Sequence, residues 1–496
     1  MNRAESATLL SSLAQQPDAR RWSGLSSSRF CFDGTRPKRV GDNALHLSQA
    51  DIRGSMGAAG HAQRGSVLII VMWICFGVVA LTLYFANSMS SELRAADNRV
   101  QDASARAACD GGVRYAAYLL GQLATGGTVP LATDYKAEQL PVGDAYFWFI
   151  GRDPDQKPSA DPFFGIVDEA SKINLNTASA TMLSGLPTMT TDLAANILSW
   201  RGASNAGGAG NETYARLDPS RLVKGAPFET IDELRLVYDA TIDALLGEDT
   251  NRNGALDRNE DDADQSPPHD NQDGQLLAGV LEYVTVYSSQ PNTRRANVTD
   301  ASPAGRNSLR TTLQQALNNQ QRTNQIISRL TNSTVGSVAE FYAVSGMTAD
   351  EFALVHTKLT ATATGSTVKG LININTASEA VLDCIPGIGT DYASAIVSYR
   401  LAHPDVLTSL AWITQVITAP AAIGTAGRYI TDQSYQFSVD VAAVGRNGRG
   451  YCREKVVFDV SSGTPRIVYR QDLTAYGWAL GAQARQTLNP AQENSL

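Results

Sequence analysis

Residues 173–201, INLNTASATMLSGLPTMTTDLAANILSWR, recur as residues 372–400, ININTASEAVLDCIPGIGTDYASAIVSYR, without gaps and with 14 of 29 positions identical. Self-similarity of this kind indicates a duplicated structural unit. Each copy predicts a capped helix near Asn176 or Asn375, a turn that contains proline, and a second helix that begins at a Thr-Asp pair. The soluble part is therefore expected to contain paired helices joined by short turns.

The turn of the second copy, Pro386-Gly387-Ile388-Gly389, resembles the helix-hairpin-helix motif. In nucleic-acid enzymes that hairpin presents backbone N–H groups to a phosphate. The first copy has Thr188-Met189-Thr190 instead, and neither turn has an adjacent Lys or Arg. We therefore expect the hairpins to serve packing, with no nucleic acid bound.

Related stretches accompany the copies: Ile231–Leu246 follows the first, and Val338–Leu359 precedes the second. Two helical modules, arranged around residues 250–335, are the simplest interpretation. Residues 286–335 are rich in Asn, Gln, Ser, Thr and Arg and are expected to form a polar insertion that is partly helical near Leu309–Leu330.

An acidic stretch between the copies matches the EF-hand pattern D-x-[DN]-x-[DN]-G-x5-E, with Gly254 at the turn. In that pattern alternate oxygen atoms surround Ca²⁺. The expected ligands are Asp249, Asn251, Asn253, the Ala255 carbonyl, Asp257 and Glu260. The open alternative is a solvated acidic loop, because Asp and Asn also favour turns.

A second acidic segment has His269 where the pattern requires Asp, and Val280 at the twelfth position. An independent site is not expected there. Asp264, Asp270 and Asp273 are instead candidates for a composite site with the first loop. Any bound ion is expected to be structural, holding a self-repelling loop folded.

Strand-like segments flank the helical region on both sides. Before it lie 146–150 and 163–167, and after it lie 435–444, 455–460 and 465–469, separated by glycine-rich turns. Each of these segments is predicted to form a strand.

Towards the N-terminus, residues 66–86, SVLIIVMWICFGVVALTLYFA, carry no charge. At about 1.5 Å per residue they span roughly 30 Å of hydrocarbon as a helix. Arg53 and Arg64 precede the segment, and three acidic residues follow it among two Arg. The positive-inside rule therefore places the N-terminus in the cytoplasm and the chain after about residue 87 outside it.

The residues before this segment, Gln63-Arg64-Gly65 followed by Ser66, resemble the type III signal that prepilin peptidase cuts. The expected cleavage lies between Gly65 and Ser66. Met56 is the expected start, giving the leader MGAAGHAQRG. Cleavage makes Ile70 the fifth residue, where most pilin-like subunits carry Glu.

The INxNTA doublet behind a prepilin-like N-terminus resembles the general secretion pathway protein K family, the minor pseudopilin K of type II secretion, over about residues 57–475. The resemblance implies an α+β chain in which an N-terminal transmembrane helix continues into a pilin-like α/β fold, interrupted by a large helical domain that binds calcium. The expected segments are a leader (1–65), a transmembrane helix (66–86), a pilin-like helix and first strands (87–170), a helical insertion (171–425), C-terminal strands (426–475) and a tail (476–496).

The same resemblance implies a function. The chain would be a single-pass inner-membrane protein, periplasmic for most of its length and methylated at its new N-terminus, that sits at the pseudopilus tip, nucleates assembly and limits growth. Its expected partners are the other minor pseudopilins, the major pseudopilin, the inner-membrane secretion platform and prepilin peptidase. The alternative is a membrane-tethered helix-hairpin-helix protein that captures DNA for uptake.

Composition bears on these alternatives. The 496 residues carry a formal charge of -8, which disfavours a general nucleic-acid binder. A calcium-dependent periplasmic enzyme is the third option, but the sequence has no G-x-S-x-G, H-E-x-x-H or Walker motif, so no enzyme is expected. Outside the membrane Cys109, Cys384 and Cys452 would allow one disulfide, with Cys384–Cys452 favoured by elimination and free buried thiols as the alternative.

Overall fold

The computed structural model describes residues 65–123, 127–153, 161–263, 265–331 and 333–488. The leader up to residue 64, with the expected start Met56, lies outside the described residues, as does Asp264. The chain divides into two compact units, Met1–Val78 and Val79–Leu496.

Helix α1 is Gly65–Gly121. Its residues Val67–Val78, in the first unit, are exposed. In the second unit its buried side chains recur every three or four residues and so form one face of the helix; they are Ala105, Ala108, Cys109, Val113, Ala116 and Leu120. Leu93 and Val100, nearer the start of this unit, are exposed.

Three strands follow α1. They are β1 (Leu140–Val142), β2 (Ala145–Ile150) and β3 (Val167–Asp168). Of the segment 163–167, predicted to form a strand, only Val167 lies in one. Phe164 makes an isolated bridge to Ile150.

The helical insertion is built from modules that each begin and end with a two-residue strand, and the two strands pair in parallel. The first module is β4 (Ile173–Asn174), α2 (Ala180–Ser184), α3 (Thr191–Trp200), α4 (Asn211–Ala215), α5 (Ile242–Leu246), α6 (Val280–Tyr283) and β5 (Val284–Thr285). After β6 (Ser289–Pro291), the middle module is β7 (Ala296–Asn297), α7 (Pro303–Leu317), α8 (Gln320–Arg329), α9 (Val338–Ser345), α10 (Ala349–Ala353) and β8 (Leu359–Thr360). After β9 (Thr367–Lys369), the third module is β10 (Ile372–Asn373), α11 (Glu379–Asp383), α12 (Gly389–Ala402), α13 (Ile413–Val416), α14 (Pro420–Ala426) and β11 (Ile430–Thr431).

The described residues thus contain three modules, where the sequence predicted two. Val338–Leu359 belongs to the middle module, not to the third. The polar insertion predicted at 286–335 supplies the helices α7 and α8 of this module. β6 and β9 pair antiparallel and enclose it.

The same turn, closed by an asparagine side chain, follows the first strand of each of the three modules. The side-chain oxygen of Asn174 accepts a hydrogen bond from Asn176 N at 2.9 Å, and Asn373 accepts from Asn375 N at 3.0 Å. In the middle module Asn297 accepts from Thr299 N at 2.9 Å. This turn ends the opening strand and directs the chain into the first helix.

The chain then returns to the sheet through β12 (Gln436–Val444), β13 (Tyr451–Asp459) and β14 (Arg466–Asp472), and ends in α15 (Gly481–Leu488). Short 3-10 helices complete the described elements: Glu169–Ser171, Ile231–Leu236, Arg258–Glu260, His356–Lys358, Pro404–Val406, Leu410–Trp412, Arg446–Gly448 and Thr474–Tyr476.

The described strands of the main sheet run in the order β1-β2-β12-β13-β14, and β3 also pairs with β12. All of these pairs are antiparallel. Because β2 and β3 precede the modules and β12 follows them, the prediction of one sheet built from both sides of the insertion is confirmed.

The two faces of the sheet have different partners. Side chains alternate along β12, so Val439, Val441 and Ala443 share a core with Cys109 and Val113 of α1. On the other face, a second core joins the sheet to the C-terminal segment; its members are Trp148, Ile150, Ala442, Val444, Ala479 and Leu480. Arg453 of β13, on that second face, contacts the acidic loop.

Candidate functional site

The predicted calcium loop lies between α5 and the 3-10 helix Arg258–Glu260. Asp249 accepts hydrogen bonds from Asn253 N at 3.0 Å and from Gly254 N at 2.9 Å, which folds the loop back on its first residue. Gly254 makes this turn with φ of 73°, a conformation that glycine adopts without strain. Asn251 and Asn253 accept from the N–H groups of Asn253 and Ala255 at 2.9 and 2.7 Å.

Glu260 closes the loop. One of its carboxylate oxygens accepts from Thr250 N at 3.1 Å and the other from Asp257 N at 3.0 Å. Its side chain is buried, and burial together with the charges of Asp249 and Asp257 raises its pKa to about 8. Burial also raises the pKa of Asp249. The fold therefore crowds carboxylates in a place where a cation would relieve their repulsion.

Two arginines of the sheet side hold the backbone of this loop. Arg152, just after β2, donates to the carbonyl oxygens of Arg252 at 3.0 Å and Asn253 at 3.1 Å. Arg453 of β13 donates to the carbonyl oxygens of Asn251 and Arg252, the latter at 2.8 Å. Three consecutive carbonyl groups are thus bound from one side, which leaves the Ala255 carbonyl out of these contacts.

Both arginines are also paired with carboxylates. Arg453 is buried and contacts Asp440 of β12 at 2.6 Å. Arg152 contacts Glu282 of α6 at 2.9 Å. Burial alone would raise the pKa of Glu282, but the charge of Arg152 lowers it to about 2.

A cavity of about 20 Å³ lies beneath the loop, lined by Arg152, Lys172, Arg252, Glu282 and Lys455 among others. This volume is enough for about one water molecule. Burial and the charge of Lys172 lower the pKa of Lys455 to about 8. The loop therefore rests on a buried layer of paired charges.

The second acidic segment forms a separate loop. Asp270 accepts hydrogen bonds from the N–H groups of Asp262, Ala263 and Gln272, and Asp273 accepts from Gln275 N at 2.8 Å. These contacts join Asp270 to the residues that directly follow Glu260, and Asp273 to its own turn. Asp264, the remaining candidate for a composite site, lies outside the described residues.

The donor set fits calcium by its chemistry: three carboxylates, two side-chain amides and one carbonyl are hard oxygen ligands. In the part of the chain that the structure describes, however, no group of three or more His, Cys, Asp or Glu side chains is placed ready to hold a metal ion. The loop is closed by hydrogen bonds from its own backbone to Asp249 and Glu260.

The helix-hairpin-helix turns are covered by neighbouring helices. A Cβ on Gly387 would lie 2.7 Å from the carbonyl oxygen of Ala422 in α14. Its counterpart Thr188 donates its hydroxyl to the carbonyl oxygen of Ala244 in α5 at 2.8 Å. In both modules a later helix thus packs against the turn.

An arginine at the end of the second helix completes both modules. Arg400 is buried and donates to the carbonyl oxygens of Ile374 and Ala377 at 2.8 and 2.7 Å. Arg201 donates to the equivalent carbonyls of Leu175 and Ala178. These arginines, identical in the two copies, therefore bind the chain's own backbone.

The expected Cys384–Cys452 disulfide is wrong, because both cysteines are free in the structure. Cys384 lies in the third module, where its sulfur is 3.0 Å from a Cβ built on Gly185 of the first. Cys452 packs against the core between α1 and the sheet, where Cys109 is a member. The sequence carries no local signal that Cys109 of α1 and Cys452 of β13 belong to the same core.

One histidine, His356, forms a close pair with an aspartate. His356 Nδ1 lies 2.6 Å from a carboxylate oxygen of Asp432. A cavity of about 350 Å³ adjoins this pair. The pairing is between residues distant in sequence and follows no local motif.

At the expected processing site, Gly65 is the first residue of α1, and Ile70 is exposed. Among the described residues one helix, Val67–Gly121, contains an apolar stretch long enough to cross a membrane. This is consistent with a membrane anchor.

The fold thus defines a protein of mixed helix and sheet with an apolar N-terminal helix. Residues 368–408 match the family model described as helix-hairpin-helix motif. No curated protein matches the chain. Among solved structures, the chain is similar to a chain in the GspK-GspI-GspJ complex of the type 2 secretion system from enterotoxigenic Escherichia coli, with 10% identity and a TM-score of 0.31, covering 77% of this chain and 98% of that chain. This level of similarity carries no conclusion about function.

Proposed function

We propose that this protein is a minor pseudopilin of a type II secretion system, of the K kind, with a structural rather than an enzymatic role. The observation that carries the proposal is α1: one helix from Gly65 to Gly121 begins apolar and exposed and ends as the helix that covers an antiparallel sheet. The Arg64-Gly65 pair, at the point where this helix begins, adds the expected processing signal.

The position at the tip follows from two features. Cleavage after Gly65 would leave Ile70 where a glutamate is needed to pair with the N-terminus of a neighbouring subunit, since a lone charge in hydrocarbon is costly. The three modules add bulk to the sheet domain of the kind that limits addition of a further subunit. The protein would sit in the inner membrane with residues after about 87 in the periplasm, and would assemble with the other minor pseudopilins and the major pseudopilin on the secretion platform.

Calcium has a structural role in this proposal. Asp249, Asn251, Asn253, Asp257, Glu260 and the Ala255 carbonyl would hold the ion. The ion supplies positive charge among crowded carboxylates. Because Arg152 and Arg453 bind the same loop from the sheet side, a folded loop also fixes the first module to the sheet.

The proposal is tested by the N-terminal residue of the protein purified from membranes, with and without active prepilin peptidase. We expect a chain that starts at methylated Ser66 only when the peptidase is present. An uncut chain in both samples would leave a signal-anchored protein and contradict the pseudopilin assignment.

Partners are tested separately by co-purification with the other minor pseudopilins. A Gly65→Ala variant, which blocks the expected cleavage, should lose them. Retention of DNA by the purified protein at 150 mM salt would favour the DNA-uptake alternative instead.

A further inference from the structure

Cys109 and Cys452 lie on the two sides of one contact between α1 and the sheet. Cys109 is buried in α1, and its thiol donates to the carbonyl oxygen of Val441 in β12 at 3.4 Å. Ala443, two residues further along β12, lies directly opposite Cys452 of β13. Residues two apart on a strand share a face, and residues directly opposite on antiparallel strands lie about 5 Å apart. The Cys109 thiol therefore lies over the sheet face to which Cys452 belongs.

The alternation of β13 gives the same result independently. Cys452 is on the face of Val456 and Phe458, and both of these belong to the core that α1 covers. The interaction between the two thiols lowers the pKa of Cys452, and together with burial it raises the pKa of Cys109. A thiol with a lowered pKa is the better nucleophile for disulfide exchange.

We propose that Cys109 and Cys452 form a disulfide that ties α1 to the sheet. The two thiols lose two protons and two electrons as the S–S bond forms. The electrons pass to a disulfide-bearing oxidant outside the cytoplasm, which is reduced to two thiols through a mixed disulfide with Cys452. In the cell this step rests on the proposed extracytoplasmic location, because disulfides persist in oxidising compartments.

The consequence is mechanical. Cys109 and Val441 are separated by 332 residues, and the loop closed by the disulfide is longer still. Cross-links that close long loops restrict the unfolded chain most. A pull along α1 would be transmitted to the sheet through a covalent bond instead of through packing alone.

The test uses the full chain, purified from membranes after alkylation of free thiols at the moment of lysis. Peptide mapping should find Cys109 joined to Cys452, and Cys384 alkylated. Reduction should lower the melting temperature by about 5 °C in the wild type and in Cys384→Ser, the matched control. The variant C109S/C452S should melt at one temperature with or without reductant.

Two outcomes would overturn the proposal. If both thiols are alkylated in the native sample and oxidised glutathione forms no Cys109–Cys452 link in the purified protein, the two sulfurs are not juxtaposed. If glutathione forms the link but cells do not, the disulfide is not the state of the protein in the cell. Protease digestion of spheroplasts then distinguishes this failure from that of the proposed location, since an extracytoplasmic domain is cut and a cytoplasmic one is protected.

Discussion

Two adjacent glycines in α1 give a sharp test of how closely this helix approaches the sheet. A Cβ on Gly112 would lie 2.6 Å from Val441 Cγ1 and 2.9 Å from Phe147 Cδ2. Both of those side chains are buried in strands of the sheet and have little room to move. A Cβ on Gly111 would instead lie 3.2 Å from Val142 Cγ2, in the edge strand β1. Gly112→Ala and Gly111→Ala are therefore the same substitution in two environments.

The two variants should differ in stability. Alanine improves helix propensity at either position by about 1 kcal/mol. At Gly112 overpacking opposes this gain by about 1–3 kcal/mol. If α1 stays helical when it detaches, the propensity gain cancels, and Gly112→Ala destabilises the contact by the full overpacking cost of about 1–3 kcal/mol. Gly111→Ala should be close to neutral, because an edge side chain yields more easily.

The buried thiol of Cys109, three residues before Gly112, reports this contact directly. In reduced full-length protein, its alkylation requires that α1 separate locally from the sheet. Gly112→Ala should speed labelling of Cys109 about tenfold, since about 1.4 kcal/mol corresponds to a factor of ten. Gly111→Ala should label like the wild type. Equal labelling rates in both variants would refute the close approach at Gly112.

Three further predictions concern the insertion and its contacts. Calcium should raise the melting temperature of the wild type, and a chelator should reverse the effect. Glu260→Gln should abolish this response, and Asp273→Asn should keep it. A response that survives Glu260→Gln would contradict the ligand assignment. Arg453→Gln leaves Asp440 as an unpaired buried charge and should lower the free energy of unfolding by about 3–5 kcal/mol, measured with denaturant. The double variant R453Q/D440N should recover part of this loss. No recovery would mean that Arg453 stabilises the fold only through the loop carbonyls. Burial raises the pKa of Asp168 from 3.8 to about 6, although its hydrogen bonds oppose this shift. The contribution of Asp168 to the free energy of unfolding is therefore fully present below about pH 4 and falls by roughly 3 kcal/mol as the pH rises through 6. The stability of the wild type relative to Asp168→Asn should fall accordingly between pH 4 and 7, and a constant difference would show that the carboxyl titrates normally.

The sequence predicted the helical modules well wherever a local signal existed. Ser179 accepts from Met182 N and caps α2, and Thr190 caps α3, close to the predicted helix starts. Asn176, the expected cap, instead bonds the backbone of Phe228 through both its amide nitrogen and its oxygen. A side chain that can cap a helix can equally bind a distant backbone segment, and only the folded chain decides between the two.

The middle module was missed because its opening sequence, ANVTDAS at 296–302, shares few letters with INLNTAS. It nevertheless keeps the two residues that matter mechanically. Asn297 makes the same turn as Asn174, and Ser302 caps α7. A search for Asn and Ser five residues apart, followed by a helical pattern, would have found it.

The contacts that no local pattern could predict are those between the sheet and the insertion. Arg152 and Arg453 bind a loop that is 100 or more residues away in sequence. Cys109 and Cys452 meet for the same reason: α1 and β13 are brought together by the return of the chain to the sheet. Such contacts depend on topology, which the separate motifs leave undetermined.

The junction at the end of β3 explains how one sheet can form around so large an insertion. Asp168 pairs with Phe437 of β12, so the insertion must return the chain to within one strand spacing of the point where it left. One carboxylate oxygen of Asp168 accepts from Asn373 at 3.1 Å and from Thr376 at 2.6 Å, both in the third module. The next residue, Glu169, accepts from Thr285, in the closing strand of the first module.

Two consecutive side chains of the sheet therefore bind the first and the third module at one place. The buried core of the insertion is continuous through all the modules described here, with Leu183, Phe341 and Ile396 among its members. The entropy cost of closing a loop grows only slowly with the length of the loop. The ends of the folded insertion are fixed at this junction. The number of modules between β3 and β12 therefore has little effect on the pairing of these strands. It follows that the stability of the sheet depends on the junction and on the acidic loop more than on the size of the insertion.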